Sequence, residues 1–314
     1  MVDNKESNFI SAVLYVHDNS DQLAMFLPKM YSVFNDNFKK FEIICVNDCS
    51  KDNSVKVINE FSKTVEGSII SLVNMSIYQG IELAMNAGVD LSIGDFVYEF
   101  DSLDMDYDIE YLIKVYLHSL QGFDIVAAAP SKMQNLFSKL FYRLYNTNSN
   151  SPYELRSESF RILSRRAINR VHSISKTIPY RKALYTNCGL KLDTLLYNAQ
   201  NTSSTTYSKK VHLNRRKMAS DSLILFTDIA YKISISLSIL LLLSTIASGV
   251  YTCTVFFGEH RPVAGWTTTM LLLSGGFSGV FLLQAIIIKY LSVLVDLVFK
   301  RQKYLIESVQ KVSK

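Results

Sequence analysis

Hydrophobic and polar positions change rhythm twice along this chain. Over the first hundred residues, short β-branched runs alternate with stretches whose apolar residues recur every three to four positions. That alternation is the signature of βαβ units on a largely parallel sheet. It predicts strands over Ile10–Val16, Phe41–Val46, Ser68–Val73, Phe96–Phe100 and Asp124–Ala128. Between the second and third, Val55, Ile58, Phe61 and Val65 fall at helical spacing as core residues, with Ser50, Asp52 and Asn53 available to cap the helix.

The rhythm then gives way to two uncharged runs, Ile233–Phe257 and Val263–Ile288. At about 1.5 Å per helical residue each exceeds a hydrocarbon core of roughly 30 Å, so both are expected to span a bilayer. Trp266 and Lys289 suit interfacial anchoring of the second. Residues 258–262, GEHRP, are too short for anything but a turn. The expected organisation is a cytoplasmic α/β domain over 1–208, a basic juxtamembrane segment over 209–232, spans over 233–257 and 263–288, and a surface-lying helix over 289–314.

Charge sets the orientation. The net charge of +5 is too modest for a nucleic-acid binder, but its placement is informative. Lys209, Lys210, Arg215, Arg216, Lys217 and Lys232 precede the first span, and Lys289, Lys300, Arg301 and Lys303 follow the second, whereas the turn carries Arg261. The positive-inside rule then puts both chain ends in the cytoplasm. Gly275 and Gly279 form a GxxxG that lets helices approach closely, either within one chain or between copies of a homo-oligomer. Four cysteines without CxxC spacing read as reduced thiols, and MVDNKESNF has no basic leader followed by an apolar stretch, so no cleaved signal peptide is expected.

In an open parallel sheet, ligands bind beyond the carboxyl ends of the strands. Two acidic clusters stand at such ends: Asn47, Asp48 and Asp52 after FEIICV, and Asp101, Asp104, Asp106 and Asp108 after FVYEF. Carboxylates so crowded need a cation or a donor-rich ligand, such as Mg²⁺ or Mn²⁺ bridging a nucleotide diphosphate, unless they form a solvated loop that caps the next helix. Neither GxGxxG after the first strand nor GxxxxGK[ST] occurs, which removes the main support for dinucleotide and P-loop folds.

Taken in order, several segments resemble family 2 glycosyltransferases of the GT-A fold, and more closely the polyprenyl-phosphate group related to dolichyl-phosphate mannose synthase. Val46-Asn47-Asp48-Cys49-Ser50-Lys51-Asp52 is similar to the family's VDDGSxD. Gly80, Ala87-Gly88, Gly94-Asp95 and Phe100-Asp101 follow, then Phe141-Tyr142-Arg143-Leu144 and Phe160 to Arg166, which is close to FRLLSRR.

The resemblance implies a GT-A nucleotide-diphospho-sugar transferase domain followed by two C-terminal transmembrane helices. It implies nucleotide contacts from Asp48, Asn47, Asp18 and Gly80, and Asp101 as the first carboxylate of a DxD motif and a catalytic candidate, with Asp104 and Asp106 as further metal candidates; Glu158, near but not equivalent to the aspartates that many relatives carry before FRLLSRR, is a second catalytic candidate. Arg143, Arg161, Lys209, Arg215 and Arg216 are candidates for the lipid phosphate and membrane. Implied partners are Mg²⁺ or Mn²⁺, a UDP-sugar, a polyprenyl phosphate and the bacterial inner membrane, in an inverting transfer that serves surface glycan modification.

The sequence departs from that pattern at chemically important places. Asp101-Ser102-Leu103 stands where relatives have Asp-Ala-Asp, and Arg156 and Ser159 stand where many carry two aspartates. A transferase-fold scaffold without catalysis, and a family 2 transferase with another glycolipid acceptor, are therefore alternatives. The helical face Leu136, Phe137, Leu140, Phe141 and Leu144, beside Lys132, Lys139 and Arg143, suits either an interfacial helix or a core-facing one.

Overall fold

The computed structural model describes residues 5–65, 69–132, 136–149, 151–174, 180–199 and 306–311, with separate positions between 232 and 294. The chain divides into two units, Met1–Ala219 with Arg301–Lys314, and Ser220–Lys300. In the first unit the strands are β1 (Ile10–Val16), β2 (Phe41–Asn47), β3 (Ile69–Met75), β4 (Phe96–Phe100), β5 (Ile125–Pro130), β6 (Phe160–Ser164), β7 (Leu192–Tyr197) and β8 (Ile306–Lys311). The helices are α1 (Ser20–Asn37), α2 (Ser54–Thr64), α3 (Ile81–Leu91), α4 (Tyr111–Ser119), α5 (Leu136–Asn148), α6 (Arg165–Ile174) and α7 (Arg181–Asn187).

All eight strands join one sheet in the order β7-β5-β6-β4-β1-β2-β3-β8. Strands β1, β2, β3 and β4 run parallel; β6 lies antiparallel between β4 and β5, and β7 runs parallel to β5. The chain winds outward from β1 through β2 and β3, then crosses back to place β4 on the other side of β1. Such a reversal opens a crevice at the carboxyl ends of β1 and β4.

Both faces of the sheet are covered, which explains the nearly unbroken apolar runs. Successive side chains of β1 alternate between two cores. Ile10, Ala12 and Leu14 meet Phe26, Met30 and Phe34 of α1, while Val13 meets Ala84, Met85 and Ala87 of α3. Helix α3 comes close to the sheet at Gly88, where an added Cβ would collide with Val13 Cγ1 and lie 2.7 Å from Val46 Cγ2. Both neighbours are stiff β-branched residues, so Gly88→Ala is expected to cost about 1–3 kcal/mol, read as a lower denaturation midpoint.

Strands β1 and β4 have the predicted bounds, and β2, β3 and β5 differ from expectation by one or two residues. The tail requires a correction. Residues 306–311, expected to continue a surface helix over 289–314, form β8, antiparallel to β3 with Leu72 opposite Gln310 and Val73 opposite Val309.

The expected spans lie mostly outside the described residues. Those of the second unit that are described are helical, and Leu240, Leu243, Leu273, Ile287, Leu291 and Leu294 are exposed. Among the described residues no helix is long and apolar enough to cross a membrane.

Candidate active site

The loops after β1 and β2 are clasped together by their own carboxylates. Asp18 Oδ1 accepts from the backbone N–H of Lys51 (2.6 Å) and Asp52 (3.3 Å). Asp52 in return accepts from the N–H of Ser20 (2.8 Å) and Ser54 (2.9 Å), one at the start of α1 and one at the start of α2. Burial works against the charged form of Asp52, but the hydrogen bonds from Ser54 and Ser20 outweigh it and hold its pKa below the ordinary carboxylate value.

Asp48 is turned inwards. Its carboxylate is fully buried and accepts from Gln79 N (2.8 Å), Gly80 N (2.8 Å) and Tyr15 Oη (3.0 Å). In this arrangement Asp48 anchors the turn before α3 and has no free face for the expected nucleoside contact. Gly80 has φ +84, a backbone conformation that favours glycine, and it aims its N–H at that carboxylate. Asn47 accepts from Ser50 N (2.9 Å) and donates to Asn74 (2.9 Å). Asn47, Asp48, Asp18 and Gly80 are thus gathered at the ends of β1 and β2.

Cys49 has φ 56, a left-handed conformation, at the position where the family pattern has glycine. A Cβ there costs about 1–2 kcal/mol, partly offset by the greater freedom that glycine loses on folding. Cys49→Gly is therefore expected to stabilise the fold by roughly 0.5–1 kcal/mol, and Cys49→Val to destabilise it. Denaturant midpoints of the two variants check this.

At the end of β4 lies a buried ionic lattice. Antiparallel register sets Glu99 directly opposite Arg161, whose Nη1 reaches Glu99 Oε2 at 2.5 Å. The same guanidinium contacts Asp101 Oδ2 through Nη2 (2.6 Å) and Glu158 Oε2 through Nε (2.8 Å). Arg181, the first residue of α7, contacts Glu82 through Nε (2.9 Å), Glu99 Oε1 through Nη1 (2.8 Å) and Asp101 Oδ1 through Nη2 (2.6 Å). Tyr185 Oη donates to Glu99 Oε1 (2.8 Å), and Lys182 Nζ stands 4.0 Å from Asp101 Oδ2.

Both arginines are buried, as is Glu99, while Asp101 and Lys182 keep 13% and 11% exposure and form the open edge of the lattice. Burial alone would raise the pKa of Asp101; Arg161, Arg181 and then Lys182 reverse this and hold it well below the usual carboxylate range.

The expected metal set does not converge. Asp104 accepts from Ser102 Oγ (3.0 Å), whereas Asp106 accepts from Tyr197 Oη (2.7 Å) and Ser159 Oγ (3.4 Å). Among the described residues no group of three His, Cys, Asp or Glu side chains is placed to hold a metal ion. The residues present therefore do not fit a divalent cation at Asp101.

Residues 22–187, more than half of the chain, match the family Glycosyl transferase family 2. The chain belongs to that family. It is 22% identical over 294 residues to an uncharacterized glycosyltransferase of Bacillus subtilis, YkcC, covering 89% of this chain and 87% of that one. It is 25% identical over 213 residues to the undecaprenyl-phosphate 4-deoxy-4-formamido-L-arabinose transferase of Pectobacterium atrosepticum, covering 65% of this chain and 64% of that protein. Matches to further curated relatives span 61% and 62% of their lengths. A mannosyltransferase from Pyrobaculum calidifontis, solved with GDP-Man and Mn2+, aligns with TM-score 0.49 and 12% identity over 95% of this chain and 89% of its own.

Within this family 2 transferase, Glu158 does reach the Asp101 site, joined through Arg161 as a group that positions the guanidinium. Arg156 instead makes a surface pair with Glu154 (2.8 Å). Arg143 is exposed on α5, and Lys209, Arg215 and Arg216 lie outside the described residues. Glu82, Glu99, Arg181, Lys182 and Tyr185 were not expected. Glu99 had a signal in the sequence, a charge within the buried strand FVYEF, which demands a counter-charge.

Proposed function

We propose that this transferase moves a sugar from a nucleotide diphosphate, UDP-linked in our reading, to a polyprenyl phosphate at the bacterial inner membrane, with inversion at the anomeric carbon. Family 2 membership, with a relative named for transfer to undecaprenyl phosphate, carries this reading. An oxygen of the acceptor phosphate would attack the anomeric carbon as the bond to the leaving diphosphate breaks. A phosphate monoester has its second pKa near about 6, so its oxygen is already deprotonated at neutral pH and needs no general base. Glu158, whose Oε2 is held by Arg161, is then free to be a positioning residue.

Two features support a lipid acceptor. The uncharged runs 233–257 and 263–288 are flanked by basic residues on the sides that orientation would put in the cytoplasm. On α5, Leu140 and Leu144 are exposed beside Lys139 and Arg143, the pairing of an apolar stripe with cations that suits a membrane interface. The engagement of Asp101 by two arginines favours one alternative, a transferase-fold scaffold without catalysis.

The test is incubation of the purified protein in detergent with undecaprenyl phosphate and a panel of nucleotide sugars, with lipid-linked sugar read by mass spectrometry. One donor is expected to give product. Absence of both turnover and nucleotide binding across the panel would leave the scaffold reading.

A further inference from the structure

Resting on the nucleotide-sugar reading above, we infer that the donor diphosphate is bound here without a divalent cation, and that Lys182 supplies the positive charge that faces it. A metal ion at the end of β4 would need open carboxylate oxygens, and both of those on Asp101 are already engaged by a cation: Oδ1 by Arg181 and Oδ2 by Arg161, each at 2.6 Å. Turning Asp101 towards a metal would strand one nitrogen of each buried guanidinium. Breaking a buried pair from one side costs about 3–5 kcal/mol. The incoming cation would also sit beside two guanidinium groups and an ammonium, where like charges repel.

Asp104 and Asp106 do not replace Asp101: Asp104 Oδ2 accepts from Ser102, Asp106 Oδ1 accepts from Tyr197 and Ser159, and among the described residues no three carboxylate, imidazole or thiol groups converge on one point. The lattice therefore carries its own cations. Within it, Lys182 is best placed to meet an anion. Its ammonium lies at the open edge, 4.0 Å from Asp101 Oδ2 and donating one long hydrogen bond to the Glu158 carbonyl (3.4 Å), and its flexible stem lets it swing towards a phosphate at the cost of that one bond. Arg161 and Arg181 are positioning residues in this scheme: they fix Asp101, and Asp101 keeps Lys182 near the strand end.

Two measurements on the full-length protein in detergent test this. Titration with UDP and GDP by calorimetry, in EDTA and in Mn²⁺, is expected to give dissociation constants within about twofold of each other, Lys182→Met to weaken binding about tenfold or more, and Lys182→Arg to retain most of it. Electron paramagnetic resonance of Mn²⁺ is expected to show the free-ion spectrum undiminished by stoichiometric protein. Binding that appears only with Mn²⁺, or loss of the free-ion signal that Asp101→Asn restores, would overturn the inference and leave the transferase reading intact. Absence of nucleotide binding in every condition would overturn both.

Discussion

Replacing Arg161 by methionine is expected to lower the stability of the transferase by about 3–5 kcal/mol, the cost of stripping a buried charge cluster of one member. Glu99 Oε2, Asp101 Oδ2 and Glu158 Oε2 would each lose the nitrogen that now stands within 2.8 Å. Against a total stability of about 5–15 kcal/mol, that loss should move the denaturation midpoint far outside error. Arg161→Lys should rescue little, because one ammonium on a flexible stem cannot serve three carboxylates that a planar fork serves at once. The control is Arg156→Ala, which breaks an exposed pair with Glu154 and should change stability by less than about 1 kcal/mol. Equal effects from the two variants would show that the lattice is not the buried unit described.

The same lattice sets an acid limit whose sign can be worked out. Asp101 has a folded pKa held well below its unfolded value, so its contribution is fully present above the unfolded value, near about 4, and is lost progressively as pH falls from there through the depressed folded value. Wild-type protein should therefore gain relative to Asp101→Asn as pH rises through about 4, with the difference levelling off above it.

The sequence made the sheet legible where the information was local. The run Phe96–Phe100 is bounded by Asp95 and Asp101, Ile10–Val16 gives way to His17-Asp18-Asn19, and both strands fall where expected. The site was legible in part. Asp101 and Arg161 stand out from their motifs, but Arg181 contacts Glu82 across 99 positions and Asp101 across 80, and no local pattern announces such pairings. A carboxylate at a strand end, such as Asp48, suggests a ligand contact in the sequence; the three donors that turn it inwards come from β1 and from the turn before α3. Side-chain direction at a strand end depends on which neighbouring loop offers N–H groups, and spacing does not encode that.

The tail shows the same limit and carries a second large expected effect. IESVQK follows a long apolar stretch and reads locally as its helical continuation, yet it pairs with β3, and Ser308 Oγ accepts from Asn74 Nδ2 (3.2 Å) across 234 positions. Long-range pairing of this kind overrides local propensity. Asn74 Oδ1 in turn accepts from Asn47 Nδ2, and Asn47 Oδ1 from Ser50 N, so a polar chain runs from β8 to the loop beyond β2. Truncation that removes residues 304–314 should strip β3 of its outer partner. At about 1 kcal/mol net per ladder hydrogen bond, the loss is on the order of several kcal/mol, and the bared edge should promote aggregation. Hydrogen exchange gives the site-resolved check: amides of Ile69–Met75 should exchange faster in the truncated protein, Ser50 N–H should follow through the polar chain, and β5 and β7 at the far edge should keep their protection. Unchanged protection in β3 would mean that the tail does not hold that edge, while loss in β3 without loss at Ser50 would confine its role to the sheet and disconnect it from the loop beside the site.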